Sequence, residues 1–151
     1  DTMLVIGGAG ILRKTLEEQA ADLEISDHVL FTGYIPDEEL PLYYQAADLY
    51  VLPTRALEGF GLSTVEALAS GTPVVGTAIG ATSEIIAGLD DRFLISESTP
   101  ESIATTVLAC LDKAREESFR ARCRQYAEEK YDWEQVVDSL EQIYRSVCEA
   151  S

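Results

Sequence analysis

The sequence predicts an α/β fold: a doubly wound, mostly parallel sheet with helices on both faces, ending in a long helical segment. Two patterns predict it. Short, continuous apolar runs such as Leu49–Leu52 and Pro73–Gly76 alternate with stretches of helical periodicity, the signature of strands buried on both faces. Glycine or proline follows most of these runs, and the crossover rule makes the connections right-handed. The length of 151 residues, with 46% hydrophobic content, suits a single domain over residues 1–151 with its own core.

The elements follow in order. Met3–Ile6 reads as a buried strand, and Gly7-Gly8-Ala9-Gly10 as a turn. Ile11, Leu12, Leu16, Ala20 and Leu23 give the next helix its apolar stripe. Val29–Thr32 is a second strand. A helix from Pro36-Asp37 to about Ala47 follows, with Asp37 as N-cap. Leu49–Leu52 is a strand closed by Pro53, Ser63–Ala69 a short helix, Pro73–Gly76 a strand, Thr82–Ala87 a helix and Arg92–Ile95 a fifth strand. Thr99-Pro100 opens a long helix with Ile103, Val107, Cys110, Leu111 and Ala114 on its inner face. Residues 115–131 are strongly charged and mostly helical. Asp132 caps the last helix, whose stripe is Trp133, Val136, Val137, Leu140, Ile143, Tyr144 and Val147. The turns at Gly7–Gly10, Gly33–Pro36, Glu58–Gly61 and Gly80 all fall at the carboxyl edge of the sheet, where ligands bind in such folds.

Composition excludes several partners. The net charge is −16, from 27 Asp and Glu against 11 Lys and Arg, and such a surface repels nucleic acid and anionic membranes. The bland reading is a soluble acidic protein; the sharper one is a high-salt cytoplasm, where screening tolerates dense carboxylates. No apolar run approaches the ~20 residues of a membrane span, and no signal segment opens the chain. Met3 is the first methionine and lies almost inside an apolar run, which suggests a piece of something longer. Three cysteines, Cys110, Cys123 and Cys148, and one histidine, His28, argue against a disulfide framework or a metal site, and for a reducing, cytoplasmic setting.

Two turns are candidate sites. From Gly8 the dinucleotide fingerprint continues to Gly10 but ends on Arg13, whose bulk opposes the close helix–strand approach of the third glycine. A tight strand-to-helix turn is the better reading there, and a dehydrogenase ranks third among functions. The stretch 58-EGFGLSTVE-66 is richer. Gly59 and Gly61 let backbone approach a ligand. Leu62, Ser63 and Thr64 open a helix whose first N–H groups and dipole favour an anion, most simply a phosphate. Glu66, about one turn in, is placed to accept from neutral hydroxyls such as a ribose diol, for ~1.5–3 kcal/mol. Ser63 and Glu66 equally match a capping box, in which Glu66 bonds back to the Ser63 N–H. Glu58 precedes two glycines and caps nothing, so its bland reading is a solvated loop charge.

These residues carry a resemblance. Glu58-Gly59-Phe60-Gly61-Leu62, Glu66-Ala67-Leu68-Ala69 and Gly71-Thr72-Pro73-Val74-Val75 resemble the E-x7-E signature of retaining glycosyltransferases of family 4, the "group 1" family with the GT-B fold. Leu4–Gly8, Val29–Ile35, Ala47–Pro53, Gly80 with Glu84–Ile86, and Tyr131–Glu134 resemble neighbouring pieces of that family's Rossmann-like C-terminal half. The resemblance covers essentially the whole chain but only the donor-binding half of an enzyme.

What the resemblance implies is a site for a nucleoside-diphosphate-sugar, which is the donor substrate; no cofactor and no metal are implied. Tyr34 and Ile35, after Gly33, would flank the base. Glu66 would hold the ribose hydroxyls. Gly61, Leu62, Ser63 and Thr64 would meet the diphosphate through backbone amides. Glu58, in the catalytic role, with the Gly59 and Phe60 backbone, would meet the donor sugar. The family's diphosphate-neutralising Arg and Lys lie upstream of the strand that opens this chain and have no match here; Arg13 and Arg55 are candidates to approach the cleft, and neither occupies the expected motif. The implied partners are the donor and an N-terminal acceptor-binding domain absent from this chain, with membrane contact at most peripheral and through that domain. The rival from another class is a non-catalytic acidic α/β binding or interaction module.

Overall fold

The structure, a computed structural model, describes residues 2–56 and 59–149. The chain divides into two compact units, Asp1–Leu40 and Pro41–Ser151, and each is built of parallel strands and helices.

In the first unit, β1 (Leu4–Gly7) pairs in parallel with β2 (Val29–Gly33), Leu4 opposite Val29, with an irregularity between Ile6 and Gly7. The crossover is α1 (Arg13–Asp22), followed by a 3-10 turn over Ser26–His28. The expected buried strand is not what β1 is: Leu4 and Val5 are 50% and 45% exposed. The stripe of α1 is likewise open, with Ile11, Leu12, Leu16 and Leu23 exposed and Ala20 the one buried residue of the unit among those described. Within the unit, two strands and one helix offer too little surface to cover a two-faced sheet.

The second unit holds a three-stranded parallel sheet in the order β3 (Tyr50–Leu52), β4 (Val74–Thr77), β5 (Leu94–Ile95). All of β4 is buried, as a continuous Val-Val-Gly-Thr run predicts for a central parallel strand. The connections are α3 (Leu62–Ala69) and α4 (Gly80–Leu89), and β5 is followed by α5 (Pro100–Ala114), α6 (Glu117–Tyr131) and α7 (Trp133–Glu149). Leu68, Ile85, Val75 and Ile95 fill the core. Phe93 stacks on Phe119 of α6, ring centroids 5.0 Å apart.

Caps behave as their chemistry requires. Thr99 Oγ1 accepts from the Ser102 N–H at 3.2 Å, with Pro100 at the start of α5. Asp132 Oδ1 accepts from the Glu134 N–H at 2.8 Å and opens α7. The expected helix from Pro36 is a correction. Glu39 and Leu40 both donate to Pro36 O, forming a turn, and α2 runs only over Leu40–Ala46. Pro41 has no N–H to donate, so it fits the first turn of a helix and opposes one already under way. The fifth strand also starts late. Asp90 accepts from the Arg92 N–H and turns Asp91–Phe93 into a 3-10 helix before β5.

Helix α7 has no buried residue, and its stripe from Trp133 to Val147 is exposed. No described helix is long and apolar enough to cross a membrane.

Candidate anion and sugar site

In the second unit, β3 and β4 run parallel, so the chain leaves both at the same edge. There the turn before α3 meets the N-terminus of α4. Gly61 has φ +78° and serves as the N-cap of α3, with no side-chain cap. Ile79 stands at the same place before α4 and also brings no side-chain cap. The two helix starts are tied together: Thr64 Oγ1 and Thr82 Oγ1, both buried, lie 3.3 Å apart, and the Ala81 N–H donates to Gly59 O at 3.4 Å. Two uncapped helix N-termini, each carrying partial positive charge, therefore converge on the Gly59–Gly61 turn.

The glycines have different reasons to be there. A Cβ on Gly61 would stand 2.5 Å from Thr82 Oγ1, in a left-handed backbone that already excludes most side chains. A Cβ on Gly59 would meet nothing within 4 Å, so that backbone borders open space. Phe60 is half exposed, its ring edge-on to Tyr131 at the end of α6, centroids 5.9 Å apart. Tyr131 in turn packs on Tyr126, and burial with the Tyr126 contact pushes its phenol well above the ordinary range.

Among the amides expected to face an anion, Thr64 N–H already donates to Gly61 O at 2.9 Å. That leaves the N–H groups of Gly61, Leu62 and Ser63 ahead of the first intrahelical bond. The capping-box reading of Glu66 does not hold. The cap is Gly61, which places Glu66 five residues into the segment it opens, and the Glu66 carboxylate reaches sideways to the Tyr44 hydroxyl, which donates to Oε2 at 3.3 Å. Glu66 itself is exposed. Glu58, expected at the sugar, lies outside the described residues. Arg55 donates to Ser98 O at 3.4 Å and so joins the loops that follow β3 and β5.

In the first unit, Gly33 ends β2 with φ +72°, and its carbonyl accepts from the Gly8 N–H at 2.7 Å. Ile35 packs over Gly7, where a Cβ would stand 2.8 Å from Ile35 Cδ1. Tyr34 is 74% exposed. Arg13 pairs with Glu17 at 2.8 Å and donates to Phe31 O at 3.3 Å, which places its guanidinium at the carboxyl end of β2. Its bulk is thus turned along the strand end. The residues the sequence did not single out are Tyr44, Thr82 and Tyr131. Tyr44 and Glu66 are 22 positions apart in the chain, and no spacing rule links them.

A helix-opening amide cluster and an exposed carboxylate thus stand at the carboxyl edge of a parallel sheet, the edge at which ligands bind in α/β folds of this kind. The chain belongs to the family "Glycosyl transferases group 1", which it matches over residues 1–130. It is 38% identical over 144 residues to a D-inositol 3-phosphate glycosyltransferase of Corynebacterium urealyticum, covering 93% of this chain and 33% of that protein. It is 33% identical over 140 residues to a GDP-mannose-dependent alpha-(1-6)-phosphatidylinositol monomannoside mannosyltransferase of Mycolicibacterium smegmatis, covering 88% and 37%. Among solved structures, sucrose-phosphate synthase from Thermosynechococcus elongatus superposes with a TM-score of 0.74 at 28% identity, over 99% of this chain and 39% of that one. The fold is that of the C-terminal half of a GT-B glycosyltransferase. The chain spans between a third and two fifths of the length of these relatives.

Proposed function

We propose that this chain is the donor-binding half of a retaining glycosyltransferase of family 4, hexosyltransferase in type, that moves a sugar from a nucleoside-diphosphate-sugar to an acceptor hydroxyl. One observation carries the proposal: the uncapped start of α3, opened by left-handed Gly61 beside the start of α4, with the Glu66 carboxylate one turn further on. The Gly61, Leu62 and Ser63 amides take the diphosphate. Glu66 accepts from the ribose hydroxyls, and Glu58 with the Gly59 and Phe60 backbone meets the donor sugar. The resemblance assigns Tyr34 and Ile35 to the base.

The chemistry asks for these groups. When the sugar–phosphate bond breaks, its electron pair leaves with the diphosphate and the ring gains oxocarbenium character. Amides fixed at a helix start stabilise the growing negative charge without reorganising. Carboxylates on the sugar hydroxyls orient the ring and strengthen their hold as it turns positive. Retention then follows from attack by the acceptor oxygen on the face the diphosphate leaves, with the acceptor's proton passing to the departing diphosphate. The reaction uses the donor and the acceptor, with no further cofactor.

The acceptor belongs to an N-terminal domain in the same enzyme, and the basic partners of the diphosphate lie upstream of the first strand of this chain. The short coverage of the relatives supports this, and so does the exposed stripe of α7, a surface of the kind that packs against another part of an enzyme. We place the enzyme in the cytoplasm, in keeping with its few, unclustered cysteines, with any membrane contact peripheral and made through that other domain.

Thermal denaturation with UDP, GDP and ADP tests the reading, since a ligand that binds only the folded chain raises its melting temperature. At least one diphosphate is expected to raise it, and Glu66→Ala to cut that rise. The 151-residue chain alone is expected to transfer no sugar. No shift with any of the three would leave the non-catalytic acidic module standing; an unchanged shift in Glu66→Ala would refute the ribose role.

A further inference from the structure

We propose that Tyr44 is a positioning residue for the ribose-gripping carboxylate: its phenol donates to Glu66 Oε2 and so sets the direction in which Oε1 accepts the diol of a nucleoside diphosphate. The inference rests on the reading of Glu66 just given and adds a residue to it.

Glu66 is exposed on α3, and an exposed glutamate samples many rotamers that a bound ligand would have to still. Tyr44 samples few. It is 8% exposed, and the Tyr50 ring meets it edge-on at 5.3 Å and 86°. Its carbonyl accepts from the buried Thr72 hydroxyl, and the neighbouring carbonyls of Gln45 and Ala47 accept from Arg120. The end of α2 is thus held at three carbonyls, and the phenol is a fixed post beside an exposed carboxylate. Burial first, with Tyr50 and Glu66 adding, raises the Tyr44 pKa far above its ordinary value. A tyrosine is already un-ionised at neutral pH, so the phenol is a donor there. At 3.3 Å the bond is longer than the ~2.7 Å usual for hydroxyl donors. It directs the carboxylate while leaving its acceptor capacity for the diol, since a carboxylate has about four lone-pair sites.

A purely structural Tyr44 would behave differently. Its loss would lower stability and weaken every ligand alike. A positioning Tyr44 affects only ligands that own the diol Glu66 holds. Tyr44→Phe keeps the ring and its Tyr50 contact and removes only the donor. The test is isothermal titration of the 151-residue chain and its variants with UDP, GDP and ADP, and with the 2′,3′-dideoxy counterpart of whichever binds. Tyr44→Phe is expected to weaken the ribonucleotide roughly three- to tenfold and to leave the dideoxy compound unchanged. In a Glu66→Ala background it is expected to add nothing. Equal losses for both nucleotides, or the same loss with Glu66 already removed, would overturn the role of Tyr44 and leave that of Glu66 intact. Equal binding of the two nucleotides by the unaltered chain would overturn both. The melting temperature of unliganded Tyr44→Phe, read in the same samples, separates a folded variant from a collapsed one.

Discussion

Gly61 and Gly59 are two residues apart and should answer the same substitution in opposite ways. Gly61 sits at φ +78°, and an added Cβ meets Thr82 Oγ1 at 2.5 Å. Left-handed backbone costs an ordinary residue about 1–2 kcal/mol, and forcing atoms into a filled site costs about 1–3 kcal/mol more. Gly61→Ala is therefore expected to lose several kcal/mol of stability, read as a lower urea midpoint. Gly59→Ala meets no atom within 4 Å and should stay within about 0.5 kcal/mol of the parent. Its effect belongs to binding, because the methyl occupies the open space beside the backbone proposed to face the donor sugar. A nucleotide-sugar should lose more affinity than the bare diphosphate; equal affinity for both in Gly59→Ala would remove Gly59 from the site. The glycines themselves were legible in the sequence as a turn that a ligand approaches. Which of them is there for a neighbour and which for a ligand was not, because Thr82 is remote in the chain and arrives through the parallel pairing of β3 with β4.

Helix α6 shows the same limit on the scale of elements. Its sequence reads as strongly charged and mostly helical, with no role given to its arginines. In the fold, three of them stop the ends of three other helices. Arg120 donates to the carbonyls of Gln45 and Ala47 at the end of α2, at 3.1 and 3.0 Å. Arg124 donates to Ala69 O at the end of α3 at 3.1 Å, and Arg122 to Leu89 O at the end of α4 at 2.7 Å. The last carbonyls of a helix have no partner within it and carry partial negative charge, so a guanidinium satisfies both needs. Phe119, Cys123 and Ala127 form the buried seam that holds α6 in place, and burial pushes the Cys123 thiol up to about 12. Hydrogen bonds to a charged donor contribute about 1.5–3 kcal/mol. Arg120→Ala should cost about 2 kcal/mol and Arg124→Ala, with one exposed bond, less than half of that. Urea unfolding at constant slope would measure both, and a reversed order would mean the caps are not what α6 contributes. Periodicity located the helices and their apolar faces. It could not say what covers those faces, which is why Leu4, Val5 and the stripe of α1 were expected in a core and stand exposed. Pro41, in contrast, was readable: a residue without an N–H inside an expected helix marks where α2 begins.

For the molecule as a whole, charge is the property that sequence alone determines and that the fold only distributes. The chain has 27 acidic against 11 basic residues, and many of the basic ones are held locally. Arg120, Arg122 and Arg124 cap helices, while Arg13, Lys14, Arg92, Lys113, Arg115 and Arg145 face a carboxylate within 4 Å. The excess carboxylates repel one another across the surface, and that repulsion opposes folding. Salt acts on both terms. It weakens the exposed pairs, each contributing about 0–1 kcal/mol, and it screens the long-range repulsion as the Debye length falls from about 10 Å at 0.1 M to about 3 Å at 1 M. Pairs at contact distance are screened far less than charges a Debye length apart, so the repulsion is lost first. The melting temperature should therefore rise with sodium chloride. Binding should follow the same sign. A diphosphate approaching a chain of charge −16 is opposed by the overall field and, at the proposed site, drawn by the amides at the start of α3. Its affinity should hold or increase with salt, the reverse of a site built from lysine and arginine, where counterion release makes affinity fall. Titration of the diphosphate across that salt range reads the outcome directly, and a steep loss of affinity would mean that basic side chains of this chain hold the anion.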